Sequence, residues 1–252
     1  MTPQIPGYVL SLESILRPFV MTIALGLIWL GAAYMPASAK SRYTTAGVLS
    51  AMFTGWEVVA QYLGAANTYL ATIENPLAMP TILFGLLIPL AVAAIGLWQS
   101  ESIARLVSAI PLHWLVAAQV YRVAGGIFLV LWADGRLPWQ FALPAGIGDV
   151  ATGSAAVVVA ARLAQNAIGA RSATYAWCLF GIADLVVAIT MGAMTSPGRA
   201  HLLAFDAPNL LVTAYPLVMV PTFAVPLALM LHGLVLLRLR RSAAATGRLA
   251  TA

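Results

Sequence analysis

Four ionisable side chains stand inside otherwise apolar stretches of this chain: Glu57, Arg122, Asp149 and Asp184. Arg122 lies near the centre of the run from Pro111 to Ala133, within Gln119-Val-Tyr-Arg122-Val-Ala-Gly-Gly126. A charge at bilayer depth costs about 3 kcal/mol on insertion scales, so it is kept with a partner or for a task. The chemistry open to such a set is binding and charge handling. A guanidinium can hold an anionic group or neutralise a carboxylate, and carboxyls can carry a proton or hold a cation. With all four ionised, one positive charge would face three negative ones, so a retained proton or a bound cation is expected.

Helical spacing groups further polar residues with these four. Ser50, Thr54, Glu57 and Gln61 fall at i, i+4, i+7 and i+11, one face of a helix. Gln119 shares a face with Arg122, and Thr152 shares one with Asp149. Gly153, Ala156, Gly181 and Ala188 lie on the same faces as the two aspartates, and such small residues let a second backbone come close. Glu57, Gln61, Gln119, Arg122, Asp149, Thr152 and Asp184 are therefore the candidate substrate- or ion-binding residues. No catalytic residue, metal site or cofactor is expected. Cys178 is the only cysteine, which excludes an intrachain disulfide and a cysteine-based metal site. His113 and His232 fall near the basic ends of two apolar runs and are the only pair that could serve as axial haem ligands. Interfacial imidazoles bonded to backbone or water are the plainer reading of both.

The elements that position these residues follow from composition. Of 252 residues 62% are hydrophobic and 8% charged, with a mean hydropathy of +0.92. Soluble domains carry about 25% charged residues, so the surface of this chain must face lipid. A spanning helix needs about 20 apolar residues. Seven runs qualify, at about 18–35, 44–65, 77–98, 111–133, 140–164, 173–195 and 215–237. The expected architecture is all-α: one polytopic membrane domain over 1–252, a bundle of seven transmembrane helices. The last run carries Pro216, Pro221 and Pro226, which break a helical ladder. Before Pro18 the chain reads as an exposed lead with a short interfacial helix near Ser11–Ser14. A shallow segment is expected over 202–214. Residues Ser102 to Ile110 read as an amphipathic helix lying on the membrane surface.

Basic residues set the expected orientation. Lys40, Arg42, Arg105, Arg162, Arg171, Arg238, Arg240, Arg241 and Arg248 fall on one side of seven alternating spans. Arg17, Arg136 and Arg199 fall on the other. Basic loops stay cytoplasmic, which places the N-terminus outside and the C-terminus inside a plasma membrane, by composition a bacterial inner membrane. The net charge of +5 is thus a topology signal, and no nucleic-acid partner is expected. The expected partners are the lipid bilayer and a small charged solute or proton.

Gly146-Ile-Gly-Asp149 is similar to the Gly-x-Gly-Asp motif of intramembrane aspartyl proteases. That resemblance implies an acid pair made of Asp149 and a second aspartate. The chain departs from the pattern: the preceding run offers Arg122, Asp184 follows rather than precedes, and no Pro-Ala-Leu motif occurs. Seven spans with an external N-terminus also resemble the rhodopsins, but the only lysine, Lys40, is expected in a loop, so no retinal Schiff base is available. The leading functional reading is a small transporter or permease. The alternatives are an intramembrane enzyme or redox protein, and a non-catalytic accessory subunit.

Overall fold

The computed structural model describes residues 3–71 and 78–250, apart from the side chains of 78–80 and 242–250. Regular structure among them is entirely helical: α1 (Gly7–Tyr34), α2 (Ala39–Ala65), α3 (Ala78–Gln99), α4 (Glu101–Ala109), α5 (Leu112–Ala117), α6 (Ile127–Ala133), α7 (Trp139–Ala164), α8 (Ala170–Thr195) and α9 (Val225–Ala250), with three shorter 3-10 or π segments. In lipid the backbone finds no water, so each long apolar run must close its own hydrogen bonds. Six helices among the described residues are long and apolar enough to cross a membrane: Gly7–Tyr34, Thr81–Gln99, Leu112–Ala133, Trp139–Ala164, Ala170–Thr195 and Val220–Arg241. The chain is a multi-pass helical membrane protein. The expected start of the third run at Leu77 lies outside the described residues.

The difference from the expected seven is α2. Its 27 residues are long enough to span. The polar face of Ser50, Thr54, Glu57 and Gln61 makes it less apolar than the other six.

A second difference lies at the N-terminus. No separate interfacial segment precedes Pro18; α1 is one helix of 28 residues with Pro18 inside it. Proline removes one backbone donor from the ladder, and membrane helices tolerate this where packing compensates. The consequence is that Glu13 and Arg17 are carried into the spanning helix.

The fourth run is a single rod of three windings. Between α5 and α6, residues Ala118–Gly126 wind as a 3-10 helix, which is tighter than α and rarely this long. Opposite it, Val220–Ala224 winds as a wider π turn before α9, in the stretch that holds Pro221 and Pro226. The 3-10 stretch is tied to the π turn and to the first turn of α9. Tyr121 Oη donates to Ala224 O at 3.0 Å, and Gln119 Nε2 donates to Ala228 O at 3.2 Å.

Helix α7 is the packing centre, with the 3-10 stretch and α5 against one side and α8 against the other. Its buried positions include Ala145, Gly146, Gly148, Gly153 and Ala156, small enough for close backbone approach. Helix α1 packs on α2, α4 and the 3-10 stretch, and α9 packs on α5 and α8.

One end of the bundle gathers most of the basic residues. Ser100 caps α4 by accepting from Ile103 N at 3.3 Å, close to the start expected for the amphipathic helix. Leu106 of α4 is fully buried beneath α1, against Gly31. Arg238 donates to the carbonyls of Val107, Ser108 and Ile110 at the C-terminal end of α4, where a cation is favoured. Arg171 Nη2 donates to Leu239 O at 3.0 Å. At the opposite end Tyr8 Oη donates to Asp134 Oδ2 at 2.5 Å and Arg136 Nη1 reaches Gln4 O at 3.4 Å. The side chain of Arg248 lies outside the described residues. Over 202–214, where a shallow segment is expected, the chain forms a loop ending in the 3-10 turn Leu211–Thr213.

Candidate functional site

Arg122 sits on the 3-10 stretch with a side chain only 2% exposed. A guanidinium is five donors and no acceptor, so its neighbours must all accept. Nε donates to Asp149 Oδ1 at 2.7 Å on α7, and Nη2 donates to Asp184 Oδ2 on α8. Nη1 reaches Gly181 O at 3.4 Å and His232 Nε2 at 3.3 Å. Because arginine cannot accept, His232 takes this contact through the Nε2 lone pair, which leaves the ring hydrogen on Nδ1. That Nδ1 has no hydrogen-bond partner. The imidazole is fully buried and stands 4.7 Å from the ring of Trp177. Trp177 Nε1 in turn donates to Thr152 O at 2.9 Å. Helices α7, α8 and α9 are thus joined around one guanidinium.

Glycine makes this packing possible at two points. A side chain on Gly148 would occupy the place of the Asp184 carboxyl, and one on Gly125 would occupy that of Asp149. The motif Gly146-Ile-Gly-Asp149 therefore has a packing role: its second glycine admits the aspartate of the neighbouring helix.

Glu57 does not join Arg122. It is 6% exposed, and its Oε1 lies 3.7 Å from Arg17 Nη1 on α1. Arg17 Nε also lies 3.5 Å from Glu13 Oε1, one helical turn away. Tyr215 Oη donates to Glu13 Oε1 at 3.5 Å and accepts from Gln61 Nε2 at 3.2 Å. This second group has one guanidinium and two carboxyls, as the first does. Arg17 and Asp149 each lie ten residues into a helix that starts at the same end of the bundle, about 15 Å deep by the helical rise. Sequence reasoning places Arg17 in an exterior lead; it is a second cation at the level of Asp149. The signal that could find it is the i, i+4 spacing of Glu13 and Arg17, which suits a helix on both sides of Pro18.

A cavity of about 120 Å³ connects the two groups. Glu13 and Arg17 lie on its α1 wall, and Tyr121, Arg122 and Asp149 on the opposite side. The rest is apolar, including Phe128, Leu185, Leu217 and Phe223. Such a space holds several waters or a molecule near the size of benzene. Of the two carboxyls on Arg122, Asp149 is the one that reaches this space: its side chain is 15% exposed against 6% for Asp184.

The other expected residues divide. Gln119 is fully buried and donates its amide to α9, leaving Oε1 without a partner. Thr152 is buried with a free hydroxyl, and its backbone carbonyl serves Trp177. Gln61 belongs to the Arg17 group through Tyr215. His113 lies against Trp114, ring centroids 5.6 Å apart, whereas His232 is wedged between Arg122 and Trp177. No group of three or more metal-ligating side chains occurs among the described residues. The sequence offers His232 only as a haem candidate, because a lone histidine carries no spacing signal.

No curated protein and no solved structure matches this chain. One family does, over residues 77–240, which takes in Arg122, Asp149, Asp184 and His232 and begins after α1 and α2. With that match over more than half of its length, the chain belongs to the family described as a domain of unknown function (DUF8737).

Proposed function

We propose that this protein is a small membrane carrier whose solute or proton occupies the cavity between α1, the 3-10 stretch, α7 and residues 216–228. The observation that carries this reading is the cavity itself. It lies at mid-depth, has charged groups on two walls, and is flanked by two non-α-helical segments. Interrupted helices with exposed polar backbone are tolerated at membrane depth where they line a site, and they recur at transporter binding sites. In this reading α2 is a seventh span, the basic end faces the cytoplasm, and the N-terminus lies outside a bacterial inner membrane.

Two enzymatic alternatives lose ground on geometry. Asp149 and Asp184 each engage an oxygen with Arg122, which opposes a shared-proton acid pair. The Nε2 lone pair of His232 faces the same guanidinium, so it is not free for a haem iron. A purely accessory role would explain Arg122 but not the open side of Asp149.

The test is a thermal-stability screen of the purified protein against small charged solutes. A solute that raises the midpoint should do so in the unmodified chain and not in Leu16→Trp, whose indole fills the cavity from the α1 wall. If no solute at any charge shifts the midpoint, or the shift survives in Leu16→Trp, the carrier reading fails.

A further inference from the structure

Resting on that reading, we infer that the cavity selects a hydrophobic organic monocation, its charge against Asp149 and its body among the aromatic rings.

Charge comes first. The cations lining the cavity are Arg17 and Arg122, and each already faces two carboxyls. The walls hold Glu13 and Asp149 against the two guanidiniums, and Glu57 and Asp184 stand behind them, so the excess of two negative charges in the ionised group comes from the layer behind the lining. An anion entering beside Arg17 would compete with Glu13 and Glu57, which already face that guanidinium at 3.5 and 3.7 Å. Arg122 directs Nε, Nη1 and Nη2 to groups within the bundle. Of the two roles open to Arg122, holding an anionic group or neutralising a carboxylate, it takes the second here and holds Asp149 in place.

An unsatisfied acceptor comes second. Asp149 gives Oδ1 to Arg122, while Oδ2 accepts no hydrogen bond among the described residues. Glu57 Oε1, on the far side of Arg17, is likewise buried without a hydrogen-bond partner. A carboxylate oxygen in a low-dielectric space without a donor attracts a cation strongly.

The shape of the walls then chooses among cations. Tyr121, Phe128 and Phe223 present rings, and aliphatic side chains supply most of the remaining surface. A hydrated metal ion gains nothing from such walls, whereas a quaternary or aryl-alkyl ammonium is held by ring faces and keeps its apolar body out of water. The volume of about 120 Å³ suits one small ring or a few alkyl groups.

The experiment is titration calorimetry of the full chain in lipid nanodiscs with three probes near the size of benzene: tetramethylammonium, pivalate and tert-butanol. A quaternary ammonium carries no exchangeable proton, so its binding reports charge recognition alone. The expected result is that the cation binds at least ten-fold more tightly than the other two. Asp149→Asn should reduce that affinity at least ten-fold, and Leu16→Trp should abolish it. The probe comparison uses the unmodified protein and so stands even if Asp149→Asn does not fold. Preferential binding of pivalate or tert-butanol, lost in Leu16→Trp, would overturn the cation inference and leave the carrier reading intact. Binding of none of the three would overturn the inference, and the wider solute screen would then decide the carrier reading separately.

Discussion

Arg122 Nε donates to Asp149 Oδ1 at 2.7 Å, across the interface between a 3-10 stretch and the central helix α7. That bond, with its partner to Asp184, places a fully engaged ion triad in the middle of a bundle whose surface faces lipid. Removing one member leaves an uncompensated buried charge, which costs more than the pair contributes. Arg122→Gln is therefore expected to lower unfolding free energy by about 3–5 kcal/mol. The triple variant Arg122→Met, Asp149→Leu, Asp184→Leu, with no charge left to bury, should recover most of it. Unfolding in mixed micelles measures both; a loss under about 1 kcal/mol in the single variant would contradict the burial of an engaged triad.

Gly148 faces the Asp184 carboxyl so closely that a methyl group there has no room. Gly148→Ala should destabilise by about 1–3 kcal/mol through overpacking. Gly47 on α2 has nothing within 4 Å of the place a methyl would take. Gly47→Ala should be neutral or stabilising by up to about 1 kcal/mol. Equal effects at the two positions in a thermal or denaturant melt would contradict the close approach at Gly148.

Glu57 and Arg17 tie α2 to α1 at 3.7 Å. A double-mutant cycle of Arg17→Gln and Glu57→Gln is expected to give a coupling of about 0.5–3 kcal/mol, because neighbouring charges do not act additively. The same cycle between Arg17 and Asp184 should couple less, since Asp184 is engaged by Arg122. The reverse order would place Glu57 in the wrong group.

Cys178 is fully buried, so the chain offers a quiet background for labelling. Gln4→Cys lies just before α1, and Arg241→Cys ends the last membrane-long helix, Val220–Arg241. A membrane-impermeant maleimide should label them from opposite sides if α2 is a seventh span, and from the same side if only six helices cross.

The charged centre is legible in the sequence for a simple reason. A charge in a long apolar run has few places to go, so Arg122, Asp149 and Asp184 point to one another by residue type and position alone. Their depths, counted from the run ends, are enough to bring them together. Glu57 cannot be assigned in the same way, because depth does not say which helices are neighbours; the fold sets α2 beside α1. Arg17 escapes a sequence reading because Pro18 looks like a helix start, while the observed helix passes through it. His232 has no motif, and its place beside Arg122 depends on the packing of α9 against α8 and the gap left at Gly181. The 3-10 winding of 118–126 leaves no trace in periodicity, since over nine residues the 3.0 and 3.6 periods drift apart by less than one turn.

Whether the cavity between Arg17 and Arg122 is a passage for solute is measured directly by uptake into proteoliposomes, using the solute that most raises the thermal midpoint. With the unmodified chain, uptake well above that of protein-free liposomes is expected, and with Leu16→Trp only background uptake. Background uptake by the unmodified chain, or undiminished uptake by Leu16→Trp, would contradict a passage at this cavity.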